Sequence, residues 1–432
     1  MQLQTKNIAP GVQGIFIKNA TFRTTQIQFS FFIPIRKESN AVRFILSDIL
    51  STCSNKYKDF FALNFALDRL YDANLKNAVS FKGDTYVMDF SIDVLKDKYA
   101  LDGESLTLEG CNLLLELLFN PNVENNSFSD EDIQRCKTKL IQHIDSIYSD
   151  KRVYAEHRLA QEVFKGDLWE EDCYGQKQDI EVITGKILYD EYKYIMENAY
   201  VKICVNSENL PKQLFPTIEN YFSSINRTPI LNFKNTVPLS PVPNPVYTTE
   251  NAPITQGKLC IAFSGPEACE PDDSAKTRIF LDCFGGGPYS YLFTNVREKQ
   301  SLCYYCRASG KYPKGFYYVT SGIEAENYNK AIEGILSQLK LFKTGKIDEY
   351  ILIASKKALI DAYSGVEDSQ SSLTNWYSTQ LPETELFTPQ EYMNFLNAVT
   401  IEDIKKIAST IKLHTIFALL PEENKSTEAV NE

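Results

Sequence analysis

The segment GGGPYSYLFTNVREKQSLCYYCRASG, Gly285 to Gly310, gathers the residue types from which active sites are built. Three glycines, Gly285, Gly286 and Gly287, precede a short amphipathic run. Arg297 lies near the end of that run, and Tyr304 follows seven residues later in a tyrosine-rich stretch. The glycines do not form a phosphate-binding loop, because no Gly-Lys-Ser/Thr follows them. As glycines they would let another backbone approach closely, or simply allow a tight turn before a helix. The only histidines are His143, His157 and His414, and no two are within four residues of each other, so no helical metal pair can form. No GxSxG elbow accompanies them, and each reads as a structural histidine. Cys303 and Cys306 make a CxxC, but in a strand-like context rather than at a helix start, and with no second pair to complete a zinc site.

Tyr289, Leu292, Phe293 and Val296 recur at i, i+3, i+4, i+7, which predicts the buried face of a short helix. Arg297 then sits near its C-terminus with no carboxylate three or four residues away. Tyr304 opens the next strand and shares a face with Leu302, Cys306 and Ala308, which predicts a half-buried ring. Taken alone, these residues fit a stable scaffold as well as they fit a site.

The elements around this segment suggest a duplication. Strand patterns open the first half (GVQGIFIKN, TTQIQFSFFIPI), and helices follow near Ala41–Cys53 and Phe60–Ala73. A hairpin then turns at Gly83–Asp84, and a long helix is capped by Ser129 with Asp132 in its first turn. The second half repeats the script from GKLCIAFSG onward. KKALIDAYSG (Lys356–Gly365) resembles KTKLIQHIDS (Lys137–Ser146) at an offset of 219 residues. Six prolines between Pro229 and Pro253 separate the halves and argue against helix and most strand pairing there. The expected organisation is therefore two α+β domains, each an antiparallel-rich sheet packed by helices, over residues 1–227 and 256–432, joined by a linker at 228–255.

Composition narrows the function class. The 432 residues are 43% hydrophobic and 23% charged, with a formal net charge of −11. An acidic chain of this kind does not favour nucleic acid or anionic membrane as its partner. No apolar run is long enough to span a bilayer, and MQLQTKNIAPGVQG lacks the basic and apolar regions of a secretory signal, so a cytoplasmic location is expected. The ten cysteines are widely spaced and read as reduced, mostly buried thiols.

FLDCFGGGPYSYLFTNVREKQSLCYYCRAS resembles the C-terminal signature of the pitrilysin-type (M16) metallopeptidases, in which a Gly-rich turn precedes a helix ending in arginine, with a tyrosine seven residues on. The duplicated domains and linker match that family's half-unit, one half of a clamshell, and LDRLYDANL (Leu67–Leu75) resembles its YmfF-like branch. Active members carry HxxEH on the first long helix of the N-terminal domain and a glutamate ligand on a later helix. Here Phe44, Ser47 and Asp48 stand in the motif positions, Cys136 stands in the glutamate's, and residues 1–142 contain no histidine. Phenylalanine offers zinc no ligand, and serine cannot serve as the general base of a zinc-bound water.

The resemblance thus implies a catalytically incomplete subunit. Arg297 and Tyr304 would act in trans with an HxxEH-bearing M16 partner on peptide or small-protein substrates. Zinc would reside in the partner and not in this chain. Tyr304 would hydrogen-bond the scissile carbonyl, Arg297 would hold peptide backbone, and Gly285–Gly287 would admit substrate or partner backbone. The alternative from another class is a structural or peptide-binding M16-like protein without chemistry, which could pair with itself.

Overall fold

The computed structural model describes residues 2–230, 233, 236–382 and 384–422. In chain order the main elements begin with β1 Gln2–Ala9, β2 Val12–Lys18, β3 Thr24–Pro34, α1 Asn40–Leu50 and α2 Phe60–Arg69. Next come β4 Asn74–Lys82, β5 Thr85–Leu95, α3 Leu106–Phe119, the small pair β6 Val123–Glu124 and β7 Ser127–Phe128, and α4 Asp130–Ser149. They continue with α5 Lys151–Val163, α6 Lys177–Glu181, α7 Gly185–Asn198, β8 Tyr200–Ser207 and α8 Leu214–Ser223. The second sheet starts with β9 Val246–Ala252 and β10 Gly257–Ser264, then α9 Pro271–Gly285, a π-helix Leu292–Lys299, β11 Cys303–Lys311 and β12 Phe316–Ile323. Last are α10 Tyr328–Lys343, α11 Glu349–Ser364, α12 Gln370–Ser378, α13 Pro389–Ala398, α14 Ile401–Thr410 and β13 Lys412–Pro421.

Local chemistry accounts for most of these boundaries. The Asp59 carboxylate accepts from the Ala62 amide at 2.8 Å and starts α2. Ser129 accepts from the Asp132 amide at 3.2 Å, and its hydroxyl donates to the Asp132 carboxylate at 2.7 Å, starting α4. The β4–β5 hairpin turns at Gly83, whose φ of +55° suits glycine; an added Cβ there would lie 2.1 Å from the Thr236 hydroxyl.

Both sheets have the expected α+β, antiparallel-rich character, and they share a topology. The first runs β1-β2-β8-β3-β5-β4 and the second β11-β12-β10-β13-β9. Read from opposite ends, β2-β8-β3-β5-β4 corresponds to β9-β13-β10-β12-β11. Each sheet has a single parallel pair, β2 with β8 and β13 with β9, at the corresponding place. β9 lies inside the span expected to be linker, which is a correction. Its residues follow the last closely spaced proline, Pro245, and are proline-free, so their amides can enter a ladder.

The chain divides into two compact units, and neither is contiguous. One comprises residues 1–145, 171–236 and 365–389; the other comprises 146–170, 237–364 and 390–432. The exchanged spans 146–170 and 365–389 are separated by the same offset as the sequence repeat. Each copy therefore gives one helix to the other: α5 belongs to the second unit and α12 to the first. The organisation expected above, contiguous spans 1–227 and 256–432, differs by this exchange. Local sequence does not say which of two like sheets a helix such as α5 or α12 covers.

The exchanged helices are held differently. In the second unit Ala155, Leu159 and Val163 of α5 pack among Cys260, Ala262, Phe417 and Leu419. In the first unit Leu373 and Tyr377 of α12 pack with Ile15, Ile17 and Cys204, but much of the remaining contact is polar. Gln26 donates to Ser371 at 3.2 Å, Gln28 to Ser378 at 3.0 Å, and Asn206 to Thr374 at 3.2 Å, all from buried strand positions. The polar residues alternating along β3 therefore face a helix, not water.

Lys202, fully buried on β8, donates to the Gln380 carbonyl at 2.5 Å and to the Leu381 carbonyl at 3.3 Å. Burial brings its pKa down to about 8. Because the folded pKa lies below the unfolded value, the unfolded chain binds the extra proton between about pH 8 and 10.5, and this group adds stability as pH rises through that window. The stability difference between the native chain and Lys202→Met should change by roughly 3 kcal/mol across it. Parallel urea titrations of the two proteins at pH 7.5 and 10 would check this, and an invariant difference would refute it.

Candidate functional site

In the second unit, α9 opens with Pro271 in its first turn and Asp272 and Asp273 beside it, favourable to the helix dipole. It ends at Gly285, which is buried against β11. A Cβ at Gly285 would lie 2.7 Å from the Ala308 amide nitrogen, so this glycine is required by packing within the unit. Gly286 would meet the Asp282 carboxylate and Gly287 the Tyr289 ring.

The chain then enters the π-helix Leu292–Lys299 in place of the regular helix expected from sequence. The wider turn buries Tyr291, Leu292 and Val296, whereas Tyr289 and Phe293 are only partly buried. The expected 289/292/293/296 face is corrected accordingly, since residues five apart stack in a π-turn. The Leu302 amide donates to the Val296 carbonyl at 3.2 Å, and Ser301 adopts a left-handed φ of +51° to let the chain reverse into β11.

A register shift against β12 falls between Cys303 and Tyr305. This bulge changes the fate of Tyr304. Cys306 and Ala308 remain on the buried face with Cys303, whereas Tyr304 turns outward and is 56% exposed. The half-buried position expected for Tyr304 is thus corrected, because the extra residue breaks the two-residue alternation. Bulges that re-aim a side chain recur beside functional sites.

Arg297, its side chain 37% exposed, lies over the Phe293 ring at 4.4 Å and approaches the Glu298 carboxylate at 3.7 Å. The Tyr304 hydroxyl donates to Glu324, just beyond β12, and this hydrogen bond is the chief cause of the rise in its pKa. Arg297, Ser301, Cys303, Tyr304, Glu324 and Asn327 line one open cleft of about 370 Å³. Arg297 and Tyr304 are therefore brought together. Gly285, Gly286 and Gly287 are not among the residues lining that cleft. Glu324 was not legible from sequence, since it meets Tyr304 across a strand pair and no local spacing links the two.

In the first unit, α1 and α4 supply the positions that correspond to a zinc site in the resembling family. Phe44 stacks on His143 with ring centroids 6.0 Å apart and meets Tyr174 edge-on at 5.3 Å. The Ser47 hydroxyl accepts from Asn77 at 3.1 Å. The Asp48 carboxylate is paired with the Lys139 ammonium and also contacts Cys136. Burial, reinforced by Asp48, pushes the Cys136 thiol up, so it is held protonated. This donor set does not fit zinc: Phe44 has no ligand atom, Ser47 cannot act as the general base, and the Lys139 charge already neutralises the Asp48 carboxylate.

Arg43, adjacent to Phe44, is fully buried and donates to Glu191 of α7 at 2.7 Å; Arg36 donates to the same carboxylate at 2.5 Å. Arg43 also donates to the Pro34 carbonyl at 2.8 Å, so α1 is tied to both α7 and β3. The other histidines have local partners. His157 is 3.1 Å from Gln161 and His414 is 2.8 Å from the Thr415 hydroxyl, with burial lowering the His414 pKa. Among the described residues, no group of three His, Cys, Asp or Glu side chains could hold a metal, and no helix is long and apolar enough to cross a membrane.

Two sheets of like topology and a cleft lined by Arg297 and Tyr304 are the features to set beside known proteins. A family model described as the peptidase M16 inactive domain matches residues 183–359. The chain is 28% identical over 416 residues to a probable inactive metalloprotease, YmfF, of Bacillus subtilis (strain 168), covering 96% of this chain and 97% of that protein. An uncharacterized zinc protease of Rickettsia bellii (strain RML369-C) is 24% identical over 237 residues, 54% of each chain. Among solved structures, a conserved protein from Enterococcus faecalis V583 superposes with a TM-score of 0.89 at 26% identity, covering 98% of this chain and all of that one. The peptidase M16 inactive domain from Pseudomonas fluorescens shares the fold, with a TM-score of 0.79 at 17% identity over 99% of this chain and all of that one. Over nearly its full length the chain is thus similar to a probable inactive M16-like protease, and it shares the fold of M16-like structures.

Proposed function

We propose that this chain is the zinc-less subunit of a two-chain M16-type peptidase, supplying Arg297 and Tyr304 in trans to a zinc-bearing HxxEH partner. The observation that carries the reading is the bulge at Cys303–Tyr305, which sends the Tyr304 hydroxyl into the same open cleft as Arg297. Tyr304 would donate to the scissile carbonyl oxygen as negative charge develops there, and Arg297 would hold adjacent peptide backbone. Zinc and the water-activating base belong to the partner, because the Phe44/Ser47/Asp48/Cys136 set cannot provide them. The setting would be cytoplasmic, with each chain forming one half of a clamshell.

The test is complementation. A candidate HxxEH chain should cleave a quenched-fluorescent peptide slowly or not at all by itself, and faster when this chain is added. If this chain forms a stable complex yet adds no activity, the reading fails. A structural or peptide-binding role, as a homodimer or within a larger assembly, then takes its place.

The phenol has one proton, and Glu324 holds it. A substrate carbonyl must compete with that carboxylate for the same hydrogen bond. Glu324→Gln is accordingly expected to raise kcat of the mixture severalfold, since a neutral amide is a weaker acceptor. A fall in kcat of similar size would mean that the carboxylate serves to orient the ring.

A further inference from the structure

We propose that Cys303 and Cys306 form a thiol–disulfide pair that reacts with small disulfides and, when it closes, draws Tyr304 out of the cleft. In a regular strand, residues three apart point to opposite faces. The bulge puts both thiols on the buried face, near enough for each to act electrostatically on the other. Cys303 also lines the cleft beside Arg297, so a small molecule can reach it from the open side. Cys306, helped by Ser321 and Arg297, shifts Cys303 toward the thiolate against the opposing effect of burial. Thiols such as Cys111, Cys204 and Cys260 are pushed the other way by burial.

The reaction balances without a cofactor. The Cys303 thiolate attacks one sulfur of a small disulfide such as glutathione disulfide, forming a mixed disulfide and releasing one thiolate. Cys306 loses its proton to that thiolate and attacks the Cys303 sulfur, expelling the second thiolate. Two protein thiols are oxidised and one small disulfide is reduced to two thiols. The second step is internal, so burial of Cys306 does not block it.

Closure has a mechanical consequence. Bonded cysteines have Cα atoms about 4.4–6.8 Å apart, so the disulfide would fix the span of the bulged segment within that range, and Tyr304 lies inside it. β11 is an edge strand, so it can bend while keeping a partner on only one side. The thiol pair stands on this geometry alone; its effect on peptide cleavage rests on the function proposed above.

Trypsin should release Gln300–Arg307, which contains both cysteines and Tyr304. The native full-length chain would be equilibrated in glutathione buffers of graded ratio, alkylated, digested and weighed. The expected oxidised peptide is unalkylated and two hydrogens lighter than the reduced one. Cys306→Ser should instead trap a glutathione adduct on Cys303, and Cys303→Ser should leave Cys306 unreacted. If both cysteines stay alkylated in buffers that already glutathionylate the exposed Cys269, the pair does not exist. Acetylation of Tyr304 by N-acetylimidazole, read on the same peptide, should change severalfold on oxidation; an unchanged rate overturns the mechanical coupling. If acetylation changes but cleavage by the two-chain mixture does not, the catalytic role assigned to Tyr304 is what fails.

Discussion

Tyr304→Phe is expected to lower kcat of the proposed two-chain peptidase by roughly 100- to 1000-fold while KM stays near its native value. The substitution removes one hydroxyl and keeps the ring. The side chain is exposed and its hydroxyl bonds only Glu324 among the described residues, so folding and complex formation should be unaffected. A donor that engages the carbonyl oxygen mainly as it becomes negative lowers the barrier without tightening substrate binding, and its loss therefore appears in kcat. Steady-state kinetics on the mixture, with size-exclusion chromatography to confirm association, would measure it. Native turnover by the variant complex would remove Tyr304 from the chemistry. Arg297→Lys is the more informative companion to Arg297→Ala, because Arg297 also stacks on Phe293 and truncation to alanine would lose that packing as well.

The second large effect concerns stability. Glu191→Gln should destabilise the first unit by about 3–5 kcal/mol, because it leaves Arg43 buried with its charge uncompensated. Arg36 would lose the same partner, though it is more exposed. Urea denaturation followed by circular dichroism gives the comparison. The double variant Arg43→Met with Glu191→Leu should recover most of the loss, since removing both charges also removes the cost of burying them. A loss under about 1 kcal/mol for the single variant would place the pair with ordinary surface ion pairs such as Lys186–Asp190.

Much of this protein is written locally. The Gly83 turn, the Ser129 cap and the alternation along β3 depend on residues within a few positions of one another, and the structure has each where the sequence places it. The absence of an HxxEH motif is equally local, because Phe44 and Ser47 lack the necessary chemistry in any fold. The repeat at an offset of 219 residues also made the duplication legible.

Other features exist only through contacts between distant parts of the chain. The polar face of β3 is covered by α12, more than three hundred residues away, a contact that no local spacing shows. α5 and α12 lie one repeat offset apart, but the unit that each joins is decided by its contacts with one of two similar sheets. Tyr304 reads as inward by alternation; it points outward because β12 sets a register that β11 can meet only with an extra residue. Residue types and short spacings determined which chemistries this chain can and cannot supply. The tertiary structure decided which of those groups meet, because the pairing of strands and the seating of helices are chosen by contacts far apart in sequence.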